Sequence, residues 1–594
     1  MKLPMLTELN TTRDMIDVFK GYNHNLRIGE GEFYHMKNLT SDYYPVLSPC
    51  KRRGLYLSPN NAQGLIAKDS LCYVDGQDFV INQNRIELDL SEAEDDCPKT
   101  LISMGAYVII LPDKKYVNTA DLSDYGNIDA SFTTNSTVTF QVSKVDGSNF
   151  TRTNEAGEEE EIPISTSATQ PENPKNLDVW VDTSSTPNAY KQWSEANDMW
   201  VTIPTTYIKI SATGIGKAFS ENDGVTISGV EDPKLSDLNN TMVIWSKGDD
   251  WIVVTGIINS AKSQENPITV KREMPKMDFI IESENRLWGC RYGDANNGEI
   301  VNEIYASKLG DFKNWNCFMG ISTDIYAATG GTDVQFTGAI AHLGHPIFFK
   351  ENHLHKVYGN YPANYQITAT TCRGVQSGSH KSLAIVNEVL FYKSRTGVCA
   401  YDGSLPQEVS YAFGDVAYSN AVACSHGNKY YVSMRDDSTD TWHLFAYDAA
   451  KNMWHREDNT RVDAFCSCRG ELYYIDHQDG FIKTMFGSGT MDTEKVEWEV
   501  ETGLIGTDNP DRKYISKLNI RMSLELGSRV YCFIQYDSED NWNYVFRMDG
   551  TSLRTFTVPI KPRRCDHMRI RLEGIGECKI YSITKTIAGG SDSK

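Results

Sequence analysis

Few residues in this sequence stand at a spacing that could do chemistry. His353 and His355 are two apart in an alternating run. On a strand they would face the same way and could share a metal ion. No cysteine or carboxylate spacing beside them completes a ligand set. Cys466 and Cys468 form a C-x-C, but none of the 13 cysteines belongs to a C-x-x-C pair. Their number is odd, and Cys72, Cys399, Cys424 and Cys532 lie inside apolar runs. They read as buried, reduced thiols made in a reducing cytoplasm. The run Glu155-Ala-Gly-Glu-Glu-Glu-Glu161 reads as a solvated loop tip, because adjacent carboxylates repel and nothing nearby would order them. No G-x-S-x-G, H-E-x-x-H, Walker or G-x-G-x-x-G motif falls in a strand–turn–helix context. The sequence therefore names no catalytic, cofactor-binding or metal-binding residue.

Two other groups carry possible contacts. Trp180, Trp193 and Trp200 stand in one compact run, Leu177 to Val201. Exposed indoles there would stack on sugar rings or a partner. The plainer reading makes them the core of a small module. The basic triplet Lys51, Arg52 and Arg53 reads as a surface ion-pairing site rather than a nucleic-acid contact.

The elements that must position these residues repeat. Ile347-Phe-Phe349, Leu390-Phe-Tyr392, Tyr430-Tyr-Val432 and Tyr473-Tyr-Ile475 start 43, 40 and 43 residues apart. Each sits between turn-formers. A second alternating run follows each, as in His353 to Tyr358, Gly397 to Tyr401, His443 to Tyr447 and Phe481 to Met485. Strand, hairpin and strand at this period describe a β-propeller blade. A β-sandwich with evenly spaced strands is the alternative. Similar segments occur at Gly64 to Gly76 and Leu101 to Leu111, and again from Pro275. The reading is an all-β chain with a propeller of about seven blades, small inserted β modules and a C-terminal β-sandwich. Residues 1–43 are expected to form an N-terminal arm along the body, with a short helix near Asp14 to Phe19. Residues 44–120 hold the first blades, 121–270 the Trp-rich insertion, 271–489 the remaining blades and 490–594 the sandwich. A strand near Gly54 to Leu57 is expected to close the propeller beside the last blade, since an open edge invites aggregation.

The chain has 594 residues, too many for one core. Lys plus Arg number 58 against 79 Asp plus Glu, a net charge of −21. That balance lacks the basic footprint that holds phosphates. The N-terminus shows no apolar core of signal-peptide length, and the longest apolar run, about 106–112, is too short for a membrane anchor. A glycosidase's two carboxylates would come from different blades, so no spacing singles them out. Ser438 to Trp442 and Asp537 to Trp542 echo the S-x-D-x-G-x-x-W boxes of sialidase-type propellers, without the glycine.

Several stretches resemble a known family. They are Tyr44-Pro-Val-Leu-Ser-Pro49 with Arg52 and Arg53, Asn285-Arg-Leu-Trp-Gly-Cys-Arg291, and Ile304-Tyr-Ala-Ser-Lys-Leu-Gly-Asp-Phe-Lys-Asn-Trp315. They resemble β-propeller tail proteins of tailed bacteriophages, in particular the tail nozzle, hub or packaged-DNA stabilisation proteins. The ending, Val558 to His567 and Gly589 to Asp592, resembles phage structural proteins. The resemblance carries no catalytic motif. It implies a virion protein of the tail, assembled in the bacterial cytoplasm as a homo-hexameric ring below the head–tail connector. Its implied partners are the connector or adaptor, tail fibre or tail tip proteins, and double-stranded DNA passing without sticking.

Overall fold

A computed structural model describes residues 11–92, 98–258, 260–294, 300–315, 326–487, 490–491, 494–507 and 511–589. The chain is all-β and of propeller type. Among the described residues the helices are five short 3-10 turns, and none is long and apolar enough to cross a membrane. Among the described residues seven sheets or sheet portions of four successive strands follow one another along the chain, the last with Thr490–Met491 added beyond its fourth strand. They occupy residues 62–87, 100–127, 279–329, 338–371, 384–408, 418–456 and 462–484, and the last takes Gly54–Leu57 as its fourth strand. We call them blades 1 to 7. Their number, order and closing strand are those expected from the sequence.

The chain divides into two compact units. The first holds Met1–Ser103, Val334–Lys356 and Thr368–Lys594. Each of the four apolar triplets lies in the second strand of a blade: His345–Lys350, Val389–Lys393, Lys429–Asp436 and Glu471–Asp476. Such strands are apolar on both faces because both faces are covered. Ile347 and Phe349 of blade 4 pack with Leu390 and Tyr392 of blade 5. Phe391 stacks on Tyr430 of blade 6 at 5.5 Å. Tyr431 packs with Leu472 and Tyr474 of blade 7, and Ile475 and Ile482 pack with Tyr73 and Val80 of blade 1. Full burial of one such side chain contributes about 2–3 kcal/mol.

Gly54–Leu57 runs antiparallel to Ile482–Thr484, with Gly54 opposite Thr484. Just before it, Arg53 is largely buried. Its Nη2 lies 2.7 Å from Glu457 and 3.1 Å from Asp458. The basic triplet is thus split: Arg53 forms an internal lock, not a surface ion pair.

The N-terminal segment differs from expectation. Thr11–Ile16 is a strand, not the start of a helix, and pairs with Ile583 to Ala588. β-Branched residues and an available sheet edge override a weak helical pattern. Gly21–Tyr22 and Glu32–Lys37 then join blade 6 to the C-terminal sandwich, making one ten-stranded sheet. Gly21 has φ of +85°, and a Cβ there would strike the Trp454 carbonyl. The segment read as an arm is therefore woven into three sheets, the third a short pairing of Leu39–Thr40 with Ser48–Pro49.

All seven strands expected after residue 490 are present, from Glu497–Thr502 to Cys578–Gly589. Thr11–Ile16, Cys578–Gly589, Lys513–Leu524 and Arg554–Val558 form one sheet of the sandwich. Its core sets Leu518, Ile520 and Met522 with Val530, Ile534 and Ile570. Along Met568–Ile575 burial alternates, so Met568, Ile570 and Leu572 face inward and Arg569 and Arg571 outward.

The second unit holds Met104–Asp333 and Val357–Ile367. After Tyr125–Asn127 the chain leaves blade 2 and builds two sheets of four and five strands, ending with Thr269–Arg272. Phe140, Ile210, Ile227, Ile252 and Val270 fill the core of this insertion. A second module, residues 151–202, is itself inserted between Val138–Ser143 and Tyr207–Ser211.

Replacing Arg53 by Ala leaves Glu457 and Asp458 buried without their cation. We expect a loss of about 3 kcal/mol and faster amide hydrogen exchange at Gly54–Leu57. Lys51→Ala should change neither. Unaltered exchange in Arg53→Ala contradicts the lock.

Candidate functional site

The Trp-rich module is built on the sheet Ile164–Ser167, Val179–Asp182, Ala189–Ser194 and Met199–Thr202. Register sets Trp180 opposite Lys191 and Trp193 opposite Trp200. All four side chains therefore share one face. Trp180 and Trp193 each meet Trp200 edge-on, with ring centroids 5.5 Å apart in both pairs. Trp180 is buried, and its Nε1 donates to the Ser167 carbonyl at 3.0 Å. The Lys191 ammonium covers its ring at 4.6 Å. Lys191 also lies 2.8 Å from the Asp182 carboxylate. Hydrogen bonds from Lys191 and Ser184 hold that carboxyl down to about 2.

Trp193 and Trp200 are half-buried, and the Trp200 Nε1 has no hydrogen-bond partner among the described residues. The three indoles thus form a packed layer. Trp180 is closed to a ligand, while Trp193 and Trp200 keep part of their surface. The layer leaves part of two indoles open to an apolar or sugar face.

The other sequence candidates resolve into structure. Among the described residues no group of three His, Cys, Asp or Glu could hold a metal ion. His355 is fully buried, with its ring 6.1 Å from that of Phe336. The acidic run is the solvated tip expected: Glu155 to Glu158 form the turn of the hairpin that pairs Glu159–Glu161 with Thr151–Thr153, its glutamates are exposed except Glu160, and Glu160 accepts from Arg152 and Lys175, both at 3.0 Å. In the box-like turn before Trp442, Asp436 accepts from the Ser438 amide at 2.8 Å and its hydroxyl at 2.7 Å. The same Asp-x-Ser turn recurs at Asp121, Asp146, Asp182 and Asp402. These serines close turns.

Trp542 belongs to a group that sequence spacing missed. The Arg571 guanidinium lies 4.1 Å over its ring. Arg571 also lies 3.3 Å from Glu499 and 3.4 Å from Glu573, and it pairs with Glu501. Burial, with Glu501 and Glu573 nearby, raises the Glu499 carboxyl above its usual range, although Arg571 opposes the rise. Arg569 and His24 stand over Tyr34 at 4.3 and 4.2 Å. Strands far apart in sequence bring these residues together. The alternating Arg569 and Arg571 were the only signal of it.

No family model and no curated protein matches this chain. Solved structures resemble it faintly. An exo-β-1,3-galactanase from Phanerochaete chrysosporium with galactose is 8% identical, over 51% of this chain and 95% of that one, with a TM-score of 0.20. Apo AztD from Citrobacter koseri is 8% identical over 74% and 96%, with a TM-score of 0.25. An acylaminoacyl peptidase is 9% identical over 53% and 55%, with a TM-score of 0.24. Superpositions of this quality say nothing of this chain's chemistry.

Two measurements check the site analysis. Trp200→Ala removes the ring shared by both pairs and should destabilise the 151–202 module by roughly 2–3 kcal/mol, read as faster proteolysis there and unchanged protection in the blades. Equal resistance to protease contradicts a packed layer.

The second concerns pH. Burial lowers His455 to about 3, and His380 to about 4. A histidine kept neutral in the fold leaves stability whole above its unfolded value near 6.5. Stability then falls as acid protonates the unfolded chain, until the folded value is reached. Between neutral pH and pH 5, His455 alone should cost roughly 1–2 kcal/mol. His455→Gln should flatten the decline of the melting temperature with acid. An unchanged slope contradicts a buried neutral ring.

Proposed function

We propose that this chain is a structural component of a bacteriophage tail, a nozzle or hub below the head–tail connector. In this reading six copies form a ring around the DNA exit channel and help to retain and release the genome. The chain is a scaffold rather than an enzyme.

One observation carries the reading. The residues of the phage-like stretches 285–291 and 304–315 meet in a single joint. The Gly310 amide donates to the Asn285 carbonyl at 2.9 Å. Arg286 Nη1 donates to the Ser307 carbonyl at 2.9 Å, and the Leu287 amide to the Ser307 hydroxyl at 3.0 Å. Asn314 reaches into the insertion: its Nδ2 donates to the Asn222 carbonyl at 2.5 Å, and its Oδ1 accepts from the Gly224 amide at 3.2 Å. Beside it, Arg272 pairs with Asp223 at 2.5 Å, buried on both sides. The shared pattern thus fastens an inserted module to blade 3. A motif spent on architecture suits a protein whose task is shape. The end of the chain that shares the likeness, 590–592, lies outside the described residues.

The net charge of −21 agrees with a wall along which DNA phosphates slide instead of binding. The connector or adaptor and the fibre or tip proteins would be its neighbours, and the virion tail its place after assembly in the host cytoplasm. A second reading, a receptor- or cell-wall-glycan-binding tail protein, is favoured by the partly open Trp193 and Trp200.

Quantitative mass spectrometry of purified particles tests the proposal. The expected result is this chain in every particle, in a multiple of six relative to the portal ring's fixed copy number. Its absence from particles, or a substoichiometric trace removed by washing, overturns the proposal.

A further inference from the structure

A cleft of about 600 Å³ opens in the first unit, beside the closing strand and the end of the sandwich. Its size suits a short oligosaccharide. Three cations line it: Lys51, Arg52 and Lys579. None of the three forms an ion pair with a described residue. That is unusual in a chain with 79 acidic against 58 basic side chains. Three acids line it as well, Asp42, Glu525 and Glu577, of which Asp42 is paired with Lys429 at 2.6 Å.

The remaining lining is mixed. Lys579 holds its ammonium 4.0 Å over the ring of Tyr43, which is 50% exposed. Phe486 forms an apolar wall, with Lys51 5.9 Å from its centroid. Glu525 and Glu577 stand side by side, the Glu525 amide donating to the Glu577 carbonyl at 3.2 Å. Burial and the Glu525 charge raise the Glu577 carboxyl above its usual range, although the nearby charges of Arg52 and Lys579 oppose the rise. The pair offers hydrogen-bonding oxygens to the cleft. Ser48 lies under the cleft, and its buried hydroxyl has no partner among the described residues.

We propose that this cleft binds an acidic saccharide, a uronate-bearing oligosaccharide. Arg52 and Lys579, with Lys51, take the sugar carboxylates. Tyr43 and Phe486 pack against the pyranose faces, and Glu525 and Glu577 accept from hydroxyls.

The test is calorimetric titration of the full chain with tetragalacturonate, with tetramannuronate, with the methyl-esterified forms of both, and with a short DNA duplex. We expect one or both uronates to bind, more weakly at high salt, and the esters to fail. Arg52→Gln and Lys579→Gln should each weaken binding about tenfold without moving the melting temperature, and Tyr43→Ala should weaken it too. Trp193→Ala should leave it unchanged, which separates this cleft from the Trp layer. Four results overturn the proposal: no uronate binding at millimolar concentration, esters binding as well as acids, affinity untouched by both cation substitutions, or the duplex binding more tightly and losing affinity in the same variants.

Discussion

A four-stranded blade leaves an edge of unpaired amides and carbonyls unless something covers it, and in this chain Gly54–Leu57 covers the edge of the last blade. That pairing spans more than 400 residues of sequence. It obliges the N-terminal segment to lie beside blade 7, and it brings Arg53 onto Glu457 and Asp458. Once there, the preceding residues are already at the rim of blade 6. Gly21–Tyr22 and Glu32–Lys37 extend that blade's sheet into the C-terminal sandwich, and Thr11–Ile16 completes the sandwich's other sheet. One closing strand therefore fixes where both ends of the chain must go.

The sequence showed what repeats locally. Triplets such as Ile347 to Phe349 announced strands covered on both faces, and the strands after residue 490 were legible one by one from their alternation. The closing strand was legible because a propeller demands one and a short apolar run was available. What escaped were arrangements made by distant partners. Thr11–Ile16 takes its conformation from the edge of Cys578–Gly589, so its own residues suggested a weak helix. Within the acidic run, read correctly as a solvated tip, the pairing of Glu160 escaped because Arg152 and Lys175 come from opposite sides of it in sequence. The nesting of one module inside another is invisible to periodicity, since each piece reads as ordinary short strands. Trp542, in the connection after Arg529–Tyr536, meets Arg571 on the strand paired with that segment.

The same contrast separates the candidate sites. The three tryptophans were found by spacing, and the structure spends Trp180 on packing while leaving Trp193 and Trp200 partly open. The cleft at Lys51, Arg52 and Lys579 could not be found by spacing, because its walls come from four stretches distant in sequence, residues 42–52, 486, 523–525 and 577–579. Arg52 and Arg53 are neighbours in sequence, yet one faces this cleft and the other is locked inside. The chain as a whole is acidic, while this cleft sets three cations among three carboxylates, Asp42, Glu525 and Glu577.

The central functional claim is that this body serves as an axial part of a tail. Gold-labelled antibody against the chain, applied to intact particles and viewed by electron microscopy, tests it most directly. The account predicts label on the tail axis immediately below the capsid. Label confined to lateral appendages, or none on the particle with the antibody shown to bind the folded chain, would contradict it.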